Sequence, residues 1–170
     1  LQLHQHVLAL TAYPVQRVVQ GVLPMSQLLA LQLTEREVLR VEKAQQALPQ
    51  ASLSGAAALS EYCAPMGKVL WELALRGARD DLLPEIAGPA AYRITPTMDL
   101  AVLELSGSLA SACERLKRQT TSLREISAWP GFDRTRAMRM LNGLYLQPGL
   151  MVSRTHPAAA HEGWFNGGTH

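Results

Sequence analysis

Cysteine is almost missing from this chain of 170 residues: Cys63 and Cys113 are the only two. Neither belongs to a C-x-x-C pair, which excludes a disulfide framework and a zinc ribbon. Both are expected as buried free thiols in a reducing compartment. Aromatic residues are scarce as well, at 5%. The core must therefore come from Leu, Val, Ala and Met, a composition that favours helices because most of these side chains lose little entropy there. No apolar run approaches the length of roughly 20 residues that spans a bilayer. The start, "LQLHQHVLAL", lacks the basic region and small-residue cleavage site of a secretory leader. A cytoplasmic protein is the expectation. The chain begins at Leu1 and not at Met, which suggests a fragment of a longer protein.

Catalytic and metal-binding patterns are absent too. "SEYC" groups Glu61, Tyr62 and Cys63, but no His lies near, and there is no nucleophile elbow or phosphate loop. His4 and His6 form an H-x-H pair that no Cys or acidic cluster completes, and His156, His161 and His170 fall near the C-terminus. No enzyme, metal or cofactor is expected.

What is present is a strong charge asymmetry. The net charge is only +2, yet residues 115–154 hold eight basic residues against two acidic ones, a net of +6. The rest of the chain holds eight basic and twelve acidic residues, a net of −4. A cationic segment on an acidic body points to an anionic partner.

Along the chain, residues 1–23 read as one or two helices broken near Pro14, and "PMSQLLALQL" from Pro24 as another. Thr34 and Glu37 have capping-box spacing and open an amphipathic helix over 34–48 that could pair two copies of the chain. Residues 50–60 read as a loop. The stretch from Pro65 to Gly77 reads as a helix with Trp71 in its core face. Three prolines and a glycine over 84–99 suggest a linker, with a short extended piece at "AYRIT". A helix is expected over 100–117, capped by Thr97 or Asp99.

The most organised stretch is "SLREISAWPGFDRTRAMRMLNGLYLQPGL", 122–150. A short helix capped by Thr120 or Thr121 gives way to a turn at Pro130–Gly131, pinned by Trp129. Asp133 caps a third helix that places Ala137, Met140, Leu141 and Leu144 on its inner face, with Thr135, Met138, Arg139 and Asn142 opposite. "QPGL" stops it and "LMVSRT" reads as a strand. The fold class is thus mainly α, with a helical region over 1–92, a three-helix module with a short strand over 93–154, and a flexible tail over 155–170.

Three helices followed by a strand resemble the winged-helix branch of the helix-turn-helix class found in bacterial regulatory proteins. The resemblance covers about a third of the chain. It implies a regulator that binds DNA. Arg139 and Asn142 would read guanine and adenine edges. Arg124 and Arg134 would hold phosphates, Arg154 would be a wing contact in the flanking backbone or minor groove, Thr135 would sit at the start of the reading helix, and Lys117 and Arg118 would extend the positive patch. The spacing of Leu123, Ile126, Arg136, Leu141, Leu144, Gly149 and Leu150 also resembles winged-helix modules of bacterial regulatory proteins that bind other proteins. Under that alternative, an adaptor or homodimer would use Met138, Tyr145 and Leu146.

Overall fold

The computed structural model describes residues 7–31, 40–43 and 61–160. The amphipathic segment 34–48, most of the 50–60 loop, His4, His6, His161, His170 and the tail aromatics Trp164 and Phe165 lie wholly or largely outside them. The mainly α expectation does not hold. The described residues combine six α-helices with two three-stranded antiparallel sheets.

The first correction is at the N-terminus. In place of helices, β1 (Leu10–Tyr13) and β2 (Val18–Gly21) form a hairpin, with Tyr13 opposite Val18 and Leu10 opposite Gly21. Pro14 cannot continue a helix, and Arg17 takes a left-handed φ of 54° that closes the turn. Val18 and Val19 are β-branched and suit the pleated surface. Across the pair the Tyr13 hydroxyl donates to Gln20 Oε1 at 3.2 Å. The short helix α1 (Met25–Ala30) follows Pro24 and buries Met25 and Leu28 against this sheet. β3 (Cys63–Pro65) adds to β2 and runs straight into α2 (Met66–Arg76), which Gly77 ends by donating its N–H to the Leu73 carbonyl at 2.8 Å.

The second correction concerns 84–99. This stretch is not a linker: it carries β4 (Ala91–Ile94), the central strand of the second sheet. Ala90, Ala91, Tyr92 and Ile94 are all fully buried, and the Tyr92 hydroxyl donates to the Ile86 carbonyl at 2.8 Å. Pro84 and Pro89 lie in a turn and a bend before the strand, and Pro96 in the turn after it. The boundary read at 92–93 falls inside β4.

The helix expected over 100–117 is divided. A 3-10 turn at Ala101–Leu103 follows Asp99, whose Oδ1 accepts from the Ala101 N–H at 2.9 Å. Glu104 and Gly107 then take positive φ, and α3 spans Gly107–Arg118. After it come β5 (Thr121–Ser122), α4 (Leu123–Ser127), α5 (Arg134–Leu146), β6 (Leu150–Ser153) and the short α6 (Pro157–Ala160). β5 and β6 flank β4 on either side, both antiparallel to it. The sheet, α2, α3, α4 and α5 enclose one core containing Trp71, Tyr92, Leu116, Ile126, Met140, Leu141 and Leu144. No helix among the described residues is long and apolar enough to cross a membrane.

Both cysteines are unpaired, and Cys113 of α3 is buried. Burial pushes its thiol up from 9.0 to about 12, with Glu114 adding to the rise and Lys117 opposing it. The folded protein therefore holds this proton more tightly than the unfolded chain does. The resulting stability is complete below about pH 9 and is lost as the pH rises toward 12. A Cys113→Ala variant will show a shallower loss of stability in urea melts between about pH 9 and 11 than the parent. Equal slopes would refute the assignment.

Candidate nucleic-acid interface

The cationic segment is shaped by its own caps. The Ser122 hydroxyl accepts from the Glu125 N–H at 3.3 Å, and Glu125 Oε2 accepts from the Ser122 N–H at 3.0 Å. This capping box starts α4, so Ser122 holds the position expected of Thr120 or Thr121. Thr121 donates its hydroxyl to the same carboxylate. Trp129 and Phe132 then close the turn through N–H bonds to Ile126 and Trp129 carbonyls. Gly131, at φ +78°, lies so near α3 that a side chain there would come within 2.9 Å of Ser108 Cβ. Asp133 caps α5 by accepting from the Arg136 N–H at 2.7 Å. Both acids of the segment thus serve helix starts, where their charge also suits the helix dipole.

The face of α5 expected to read bases is turned into the fold. Asn142 is 3% exposed; its Oδ1 accepts from the Leu83 N–H and its Nδ2 donates to the Asp81 carbonyl, each at 2.9 Å. Arg139 is half-buried and donates from Nη1 to the Leu75 carbonyl at 3.1 Å, in the last turn of α2. Gly143 lies under the Trp71 ring. Just past the helix, Gln147 donates to the Gly67 carbonyl at 2.6 Å, at the start of α2. The cause is α2, which packs along α5 over the stripe that begins at Arg139. Arg154 is also engaged: its guanidinium donates to the carbonyls of Glu85, Ala87 and Pro89, clasping the loop before β4.

What remains outward is a rim of element ends. Arg118 ends α3, Arg124 opens α4 and Arg134 opens α5; all three are exposed. Among the described residues, no hydrogen bond or ion pair engages their side chains. Thr135 is exposed beside Arg134. Lys117 is half-buried and lies 3.6 Å from Glu114. Of the protein-contact candidates, Met138 and Tyr145 are half-buried and pack on the core, and Leu146 is exposed.

Two arginines outside the predicted set belong to the same rim. Arg115 lies over the Trp129 ring, 4.7 Å from its centroid. Trp129 meets Phe132 edge to face, with centroids 6.4 Å apart and planes at 84°. Arg136 lies over Phe132 at 5.5 Å and donates from Nη2 to Ser108 Oγ at 3.1 Å. The W-P-G-F spacing of aromatics about a turn is the signal that could have found this row, since both rings leave the turn beside flanking helices.

A groove of about 440 Å³ lies apart from these residues, bordered by Arg17, Gly67, Thr95, Asp99 and Gln147. Among the described residues, Asp99 is the one carboxylate in its lining and Arg17 the one cation. Among the described residues, no group of three or more His, Cys, Asp or Glu side chains is placed to hold a metal ion. No protein-family model matches this chain, and it matches no curated protein and no solved structure.

Proposed function

We propose that this chain binds DNA through the cationic rim formed by the end of α3, the start of α4 and the start of α5, and that it does so by holding phosphates. One observation carries the reading: Arg118, Arg124 and Arg134 are exposed at the end of α3, the start of α4 and the start of α5, while the two acids of the segment face backbone N–H groups. Base reading by Arg139 and Asn142 is not part of the proposal, because Asn142 is buried with its amide bonded to Leu83 and Asp81, and Arg139 is half-buried with Nη1 on the Leu75 carbonyl. Binding is therefore governed by charge, with little preference for sequence. The alternative of a protein partner on Met138, Tyr145 and Leu146 draws less support, since Met138 and Tyr145 pack on the core and only Leu146 of the three is exposed.

The test is fluorescence anisotropy with a short labelled duplex across a salt series. Arg118→Gln, Arg124→Gln and Arg134→Gln will each weaken binding to all sequences alike. Each will also reduce the slope of log K against log salt by roughly 0.9, the value for one lost phosphate contact on duplex DNA. An unmodified chain that fails to bind at low salt sinks the proposal.

A further inference from the structure

The row Arg115–Trp129–Phe132–Arg136 has a use that helix capping and core packing leave unexplained. Trp129 belongs to the core, at 8% exposure, but the two guanidinium groups lie outside it on exposed residues. Resting a cation on a ring at an exposed site stabilises a fold by only about 0.5–1 kcal/mol. What it does more effectively is restrict where the guanidinium lies, with Arg115 Cζ held 4.7 Å from the Trp129 centroid and Arg136 Cζ 5.5 Å from that of Phe132. A guanidinium carries five N–H donors in a fixed fork, more than contact with one ring can occupy. No carboxylate pairs with either arginine among the described residues. Arg136 gives one nitrogen to Ser108 Oγ and keeps its others.

We infer that Arg115 and Arg136, each laid on an aromatic ring of the turn, form a two-point clamp for phosphates of a nucleic-acid backbone. This rests on the DNA reading above and deepens it, because it names the two groups that give the rim its geometry. The chemistry is bidentate: a planar guanidinium matches two oxygens of a phosphodiester, which a lysine ammonium cannot do. The rings restrict the arginines before the ligand arrives, so less side-chain freedom is lost on binding. Arg118, Arg124 and Arg134 supply attraction from all round the rim, and the clamp fixes where the backbone lies.

The distinguishing variants keep the charge and remove the geometry. Arg115→Lys, Arg136→Lys and Phe132→Leu all leave the net charge unchanged. Each will weaken binding of a short labelled duplex by about two- to fivefold, the equivalent of losing one stacked, oriented cation. The slope of log K against log salt will stay within error of the parent's. Arg136→Gln, in contrast, will lower both the affinity and the slope, the latter by roughly 0.9. Thermal melts run in parallel identify any variant whose fold has changed, and Arg115→Lys, on the exposed side of α3, serves if Phe132→Leu disturbs the turn. If the three charge-conserving variants bind like the parent while Arg124→Gln is impaired, the clamp is refuted and the DNA reading survives. If the parent itself fails to bind at low salt, both fall.

Discussion

Replacing Asn142 with leucine will destabilise this protein by roughly 2–4 kcal/mol, although the two side chains are close in size. The amide spans a gap between α5 and the loop after α2, accepting from the Leu83 N–H and donating to the Asp81 carbonyl. Leucine offers neither group. Asp81 is exposed, so water can satisfy its carbonyl; the half-buried Leu83 N–H loses its partner with less recourse. For a chain of this size the melting temperature should fall by about 5–15 °C. Asn142→Asp is the informative companion. It keeps an acceptor for Leu83 but turns a carboxylate oxygen toward the Asp81 carbonyl, so it will be at least as damaging at neutral pH. Acidification will partly rescue it, once the protonated oxygen can donate. A Leu variant that melts with the parent would mean that the loop does not depend on this amide.

The second large effect is expected at Gly143, where α5 crosses α2. A side chain there would place its first carbon 2.5 Å from Trp71 Cε3 and 2.8 Å from Cζ3. Trp71 is 2% exposed and has no room to withdraw. In an isolated helix Gly143→Val would help, because glycine is among the poorest helix formers. Here the helices must separate, and overpacking of this kind costs roughly 1–3 kcal/mol. A double-mutant cycle in urea decides the cause. Trp71→Leu opens space, so the pair Trp71→Leu, Gly143→Val will lose less than the two single losses combined. Additive losses would show that the ring is not what Gly143 accommodates.

These two positions also explain how far the sequence could be read. The inner stripe of α5, Ala137, Met140, Leu141 and Leu144, is legible from its spacing, and all four are fully buried. Asp133 as the cap and Gly77 as the stop of α2 are legible from local chemistry. The opposite stripe is not. Arg139 and Asn142 are polar, and polarity alone places a residue outside; only the third dimension supplies α2 to receive them. Asn142 differs from a solvated asparagine only through partners about 60 residues away in the chain. The N-terminal hairpin was missed for a different reason. Leu10, Thr11 and Ala12 carry no helix breaker and little alternation, so Tyr13, Val18 and Val19 had to outweigh a generally helical composition. At 84–99, proline density outweighed the short apolar run of β4, although a strand of four residues is long enough to form a sheet centre. At the rim, counting charge located the cationic segment, but only the geometry separates Arg154, which clasps a loop, from Arg118 and Arg124, which do not.

The position of β4 has a consequence for how the chain is made. Its two neighbours, β5 at Thr121–Ser122 and β6 at Leu150–Ser153, both lie later in the sequence. During synthesis from the N-terminus, β4 emerges with both edges bare and must wait for almost all of the remaining described chain. Contacts of such long sequence separation close slowly, because loop entropy is lost before any pairing repays it. A nascent chain halted before Leu150 would expose, along an open edge, a strand whose Ala91, Tyr92 and Ile94 are fully buried in the finished fold, a template for joining another chain. The ribosome therefore releases a molecule whose centre is completed last.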